Sequence, residues 1–172
     1  MRVLLLVVTA AASLLLQMPL ANALEWSEYR NERFGLLMRY PADVFSEQGT
    51  SQARDGDLFA TTDQSARLLV GAFENVDNYS PATYQRYIAQ ESYPGLRVDY
   101  APVGGSWMVL SGTRGDTMIY EKAMFSCGGR IINSFALAYP VTARRFYDPI
   151  VEAIEDSFHP GAETCDRHAS TF

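Results

Sequence analysis

Residues 117–139 read TMIYEKAMFSCGGRIINSFALAY, two apolar runs broken at Gly128-Gly129. Side chains alternate across a strand. Ile119, Ala123 and Phe125 therefore share one side of the first run, with Met118, Tyr120 and Met124 on the other. In the second run Ile131, Phe135, Leu137 and Tyr139 oppose Ile132, Ala136 and Ala138. Paired glycines supply the positive φ of a tight turn, so the two runs form a hairpin. Both faces carry apolar side chains, so neither is simply washed by water. Either both are covered, or one is covered and the other enters a contact.

The pattern extends outward on both sides. Ser106 to Gly112 and Leu96 to Ala101 read as further strands, separated by Arg114-Gly115-Asp116 and Gly104-Gly105, which makes the middle of the chain an antiparallel meander. Ser80-Pro81 opens a helix over 81–92. The serine caps free N–H groups, and proline at the first helical position loses no bond. Tyr84 and Ile88 then fall on its buried side. Leu58 to Thr62 and Ala66 to Phe73 form a hairpin around Thr62-Asp63-Gln64-Ser65. Residues 45–57 read as a loop anchored by Phe45. Trp26 to Tyr29 is extended, and Gly35 to Tyr40 is a strand that Pro41 stops. After Pro140 the apolar stripe Phe146, Ile150, Ala153, Ile154 and Phe158 predicts a helical unit over 142–158, with Thr142 placed to cap it. Pro149 breaks this unit: either Asp148 caps a fresh helix there, or the helix kinks.

Several of these pieces are shared with one group of proteins. Phe34-Gly35 leading through a strand to Tyr40-Pro41, the Ser80-Pro81 helix, the meander and a last helix ending Ser157-Phe158 resemble the superfamily of photosystem PsbP proteins and Ran-binding Mog1 proteins. The resemblance covers most of residues 26–158. It implies an α-β-α sandwich in the α/β class, an antiparallel sheet meander packed by two or three helices. Exported bacterial proteins are among its members. Members differ in function, so the resemblance carries over no site.

Residues 1–23 set the expected destination. Arg2, an apolar run from Val3 to Leu16 and the small residues Ala21-Asn22-Ala23 have the three-part form of a cleaved secretory signal peptide. The run of about 14 residues is short of the roughly 20 that span a bilayer. The expected product is one exported domain over 24–172, periplasmic or secreted, with a polar tail from about 159 and no membrane segment after cleavage. Losing Arg2 takes the formal charge from −6 to −7. A negative surface of this kind repels nucleic acid and anionic lipid. Cys127 and Cys165 are the only cysteines. In an oxidising compartment they pair, and closing so long a loop gains roughly 4 kcal/mol in the chain-entropy model.

No catalytic set emerges from the remaining residues. Asp55-Gly56-Asp57 with Asp63 lacks the twelve-position ligand spacing of a calcium loop and reads as a solvated turn. His159, His168 and Cys165 lack a fourth zinc ligand, and the thiol is better used in the bridge. Ser106, Ser111 and Ser134 stand outside the strand–turn–helix motif that exposes a hydrolase serine. Glu152, Glu155 and Asp156 read as a charged helix face. No nucleotide loop is present, so no cofactor is expected. The surplus is aromatic: ten Tyr and two Trp. Tyrosine joins a large contact area to a polar tip, which suits interfaces. Tyr84, Tyr87 and Tyr93, with Trp107 as a floor, mark a candidate surface between the first helix and the meander. The chain thus reads as a non-enzymatic exported protein that binds or stabilises an envelope partner protein. The alternatives are a carrier of a small apolar ligand and, more remotely, a hydrolase.

Overall fold

The computed structural model describes residues 23–161 together with Cys165. Residues 1–22 of the expected signal segment and most of the tail, including His168, lie outside the described residues.

Strands β1 (Trp26–Arg30) and β2 (Leu37–Pro41) form a separate antiparallel hairpin. The main sheet holds β3 (Ser46–Thr50), β4 (Gly56–Ala60), β5 (Arg67–Glu74), β6 (Arg97–Tyr100), β7 (Trp107–Arg114), β8 (Thr117–Ser126) and β9 (Ile131–Pro140). Its order is β3-β4-β5-β9-β8-β7-β6. Helix α1 (Pro81–Glu91) joins β5 to β6, and α2 (Arg144–Ser157) follows β9.

The predicted hairpin of residues 117–139 is the middle of this sheet. β8 and β9 pair from Thr117↔Pro140 to Ser126↔Ile131. Between them Gly128 and Gly129 take φ values of 67° and 90°, the left-handed region that glycine enters without a Cβ penalty. The alternation holds as read. On one face Tyr84 and Ile88 of α1 pack with Met108, Leu110, Ala123, Phe125 and Ile132. On the other, Phe135, Leu137 and Tyr139 meet α2 through Tyr147, Ile150 and Ile154 and meet the β1–β2 hairpin through Leu36 and Met38. Burying each such side chain is worth roughly 1.5–3 kcal/mol.

The two covers are offset. α1 lies over β7 and β8, whereas α2 packs on β2, β8 and β9. On the face that α1 covers, one row runs Leu58–Leu69–Ala136–Glu121–Leu110. It passes from Leu69, 54% exposed, to Leu110, which is buried. On the opposite face the row Phe59–Leu68–Leu137–Tyr120–Ser111–Tyr100 runs the other way, from core to solvent. Each face therefore keeps an open half.

Local departures from the sequence reading have physical causes. Residues 46–50, read as loop, form edge strand β3 on β4. Every side chain of that Ser-Glu-Gln-Gly-Thr run is exposed, so no apolar alternation marks it. Gly56 and Asp57 likewise belong to β4 rather than to a turn. At its other end β4 stops at Ala60, where Thr61 starts the turn by accepting from the Ala66 amide and donating to Asp63. Pro41 is the last residue of β2, paired with Trp26, and its carbonyl accepts from Val44 and Phe45. α1 begins as predicted, with a reciprocal Ser80–Thr83 capping box and Pro81 in the first turn. α2 does not begin with Thr142. A short 3-10 turn over Val141–Ala143 precedes it, and its first residue follows Ala143 without a side-chain cap. Pro149 lies inside α2, and Asp148 caps nothing.

Candidate functional site

The loop between β5 and α1 is built around Asn75, which is buried. Its side-chain amide donates to the Tyr79 and Gly129 carbonyls at 2.9 and 2.8 Å and its oxygen accepts from the Tyr79 amide at 2.8 Å. These bonds hold Tyr79 beside α1. There its ring stacks on Tyr87, with centroids 5.2 Å apart and planes at 28°. Tyr84 sits behind both, buried against Phe73 and Phe125. A cleft of about 280 Å³ opens here, rimmed by Val76 and Tyr87. Val76 is 75% exposed and Tyr87 43%. The result is an aromatic shelf whose rear is anchored in the core.

The other two tyrosine-surface residues part from this shelf. Tyr93 turns its hydroxyl inward and donates to Glu121 at 2.5 Å. Burial pushes the Glu121 carboxyl up to about 7, although the Tyr93 bond pulls the other way. Burial and the Glu121 carboxylate together push the Tyr93 phenol well above its ordinary range. Trp107 pairs with Met124, which belongs to the α2 face, whereas Met108 and Ala123 face α1. It therefore cannot floor a site under α1. Its indole lies instead on Gly104, where a Cβ would fall 2.2 Å from the ring nitrogen.

On the open half of the α2 face lies a second cleft, of about 580 Å³, between α2 and the β6–β7 edge. Tyr120 donates to Glu155 at 2.5 Å, Lys122 meets the same carboxylate at 2.8 Å, and Tyr139 donates to Asp148 at 2.8 Å. Arg144 adds an ion pair to Asp148 at 3.2 Å. Burial acts to raise the Glu155 carboxyl, but the Lys122 and Tyr120 bonds outweigh it and hold the group below its usual range. Glu155 is thus more than part of a charged helix face, and sequence reading missed its partners. The available signal was the alternation that puts Tyr120 and Lys122 on one side of β8.

A third cleft, about 650 Å³, lies between β1, β2 and the β3–β4 edge. Here Tyr29 donates to Asp57 at 2.5 Å. Asp55 accepts from the Ser51 hydroxyl, and bonds from Thr61 and Ser65 pull the Asp63 carboxyl down to about 2. Among the described residues no group of three or more His, Cys, Asp or Glu is placed to hold a metal. The His159 backbone pairs with Leu37, so the chain is still tied to β2 at that point. Cys127 and Cys165 are bridged, S–S 2.01 Å, which brings the described part of the tail back to the β8–β9 turn. Among the described residues no helix is long and apolar enough to cross a membrane.

No family model matches the chain, and no curated protein matches it in sequence. Solved structures do match. The solution structure of cyanobacterial PsbP (CyanoP) from Synechocystis sp. PCC 6803 is similar with a TM-score of 0.59 at 14% identity, over 85% of this chain and 98% of that one. The crystal structure of the Ran-binding protein Mog1p from Saccharomyces cerevisiae is similar with a TM-score of 0.58 at 7% identity, over 83% and 99%. At such identities the likeness speaks for the backbone and not for any site. With its antiparallel sheet and one helix on each face, the chain has the PsbP/Mog1-like fold.

Proposed function

We propose that the chain is a non-enzymatic exported protein, periplasmic or secreted, whose mature part from Leu24 binds or stabilises a partner protein of the cell envelope. The carrying observation is the Tyr79–Tyr87 shelf with Val76 beside it, an exposed apolar and aromatic surface on a rigid base. Rigid aromatic anchors with polar tips supply most of the energy at protein interfaces. The three-part signal pattern of residues 1–23 supports export, as does a disulfide, which persists in oxidising compartments. One structural relative bears a protein-binding description, Ran-binding, which agrees with a binding role. The half-buried and buried carboxylates Asp57, Glu121, Asp148 and Glu155 each accept a tyrosine hydroxyl, a use that builds structure. The clefts described above are open and carry charged side chains, which favours a protein partner over a small apolar ligand.

The test is recovery of partners from envelope extracts on the immobilised mature protein, in parallel with Tyr87→Ala and Val76→Asp. A protein held by the wild type in near-equimolar amount and lost from both variants is the expected outcome. Equal recovery on all three, or none on any, sinks the reading.

A further inference from the structure

We propose that the groove beside α2 receives an arginine side chain presented by a surface segment of a protein partner. The inference rests on the partner-binding reading but uses a surface away from the Tyr79–Tyr87 shelf. Three observations converge on it.

The first is Ser111. It lies on the groove floor, in the row between Tyr120 and Tyr100. The residue as a whole is 4% exposed, and no hydrogen bond from another described residue reaches its hydroxyl. The residue is enclosed but its oxygen is open to the cleft, where it can accept from whatever enters.

The second is charge. Asp99, Asp148, Glu152 and Glu155 line the groove. Asp148 is matched by Arg144 at 3.2 Å, Glu155 by Lys122 at 2.8 Å and Asp99 by Arg97 at 3.9 Å. Glu152, on the exposed side of α2, is the one left without an ion pair among the described residues. The groove is therefore short of one cation.

The third is Tyr100. Its ring stands 59% exposed at the sheet edge and offers an aromatic face to that cation. An arginine answers all three features better than a lysine. Its planar guanidinium stacks on an aromatic ring while several fixed N–H groups reach a carboxylate and a hydroxyl together. An open groove of about 580 Å³ also has room for the backbone that carries such a side chain. The net negative charge, −6 for the whole chain, steers a basic segment toward the protein.

The experiment is an NMR titration of the isotope-labelled mature protein with acetyl-glycyl-arginyl-glycinamide. The arms are the same peptide with citrulline, the same peptide with lysine, and free arginine. Saturable shifts at Tyr100, Ser111 and Glu152 with the arginine peptide are expected, weaker with lysine and absent with uncharged citrulline. Glu152→Gln, an exposed change, should weaken binding about tenfold, the scale of one lost charge-assisted bond. Ser111→Ala should weaken it severalfold, and Tyr87→Ala should leave it unchanged. Shifts that never saturate, equal response to citrulline or lysine, indifference to Glu152→Gln, or tighter binding of free arginine would each overturn the proposal. Since the titration does not involve the shelf, loss of envelope partners from Tyr87→Ala and loss of arginine binding from Glu152→Gln fail separately.

Discussion

Glu121 lies on a central strand in the row between Ala136 and Leu110, enclosed under α1. Tyr93, beyond the end of α1, donates to it, and the Tyr84 hydroxyl feels its charge. Arg114 acts on the nearby Tyr93 phenol from β7. Burial raises the folded carboxyl from 4.5 to about 7. A group whose pKa is raised on folding contributes stability that is full below the unfolded value and is lost as pH rises through the folded one. The protein should therefore weaken between about pH 5 and pH 8, by at most about 3 kcal/mol from this group. Glu121→Gln keeps the shape and removes the titration. Its melting temperature should exceed that of the wild type at pH 8 and fall less steeply with rising pH. Parallel pH profiles for the two proteins would refute the assignment. Alternation puts Glu121 on the face of Ile119, Ala123 and Phe125, but its enclosure under α1 and its bond from Tyr93 could not be read from the sequence.

At the scale of elements, legibility followed the strength of the local signal. α1 was readable because Ser80 and Pro81 satisfy the first amides and because Tyr84 and Ile88 are one turn apart. The hairpin from β8 to β9 was readable from alternation and two glycines. β3 was not, since an exposed edge strand needs no apolar residue. α2 was half readable: its stripe is clear, but Pro149 invited a cap at Asp148, whose carboxylate is taken by Tyr139 and Arg144. Packing through Ile150, Val151 and Ile154 holds the helix through a residue that cannot donate to the Arg145 carbonyl. Pro149 is exposed, so replacing it disturbs no core contact. Pro149→Ala should restore that bond and stabilise the protein by up to about 3 kcal/mol in denaturant titration. A loss of stability would show that the ring's restriction of the unfolded chain outweighs the missing bond.

For the whole molecule, the Cys127–Cys165 bridge fastens the last described residue to the β8–β9 turn, and Arg130 donates to the Cys165 carbonyl from the same turn. Cys127→Ser should lower stability by about 4 kcal/mol, the value of closing a loop of that length in the unfolded chain. An unchanged melting temperature under oxidising conditions would contradict a stabilising role. The offset of α1 and α2 sets a second property at this scale. Covering opposite halves of the two faces leaves Leu69 exposed on one side and the Tyr100–Ser111 strip open on the other.

By itself the sequence determined which face of the meander each side chain takes, where α1 starts, and which two cysteines could pair. Those properties follow from spacing along the chain, because strand and helix periods are local. Tertiary structure alone decided that the Trp107 indole comes to rest on Gly104, that Tyr29, Tyr93, Tyr120 and Tyr139 each find a carboxylate, and that Ser111 ends on the floor of a groove. These outcomes depend on strand register and on which half of a face a distant helix covers. They arise from packing between segments far apart in the chain, where no local period carries the information.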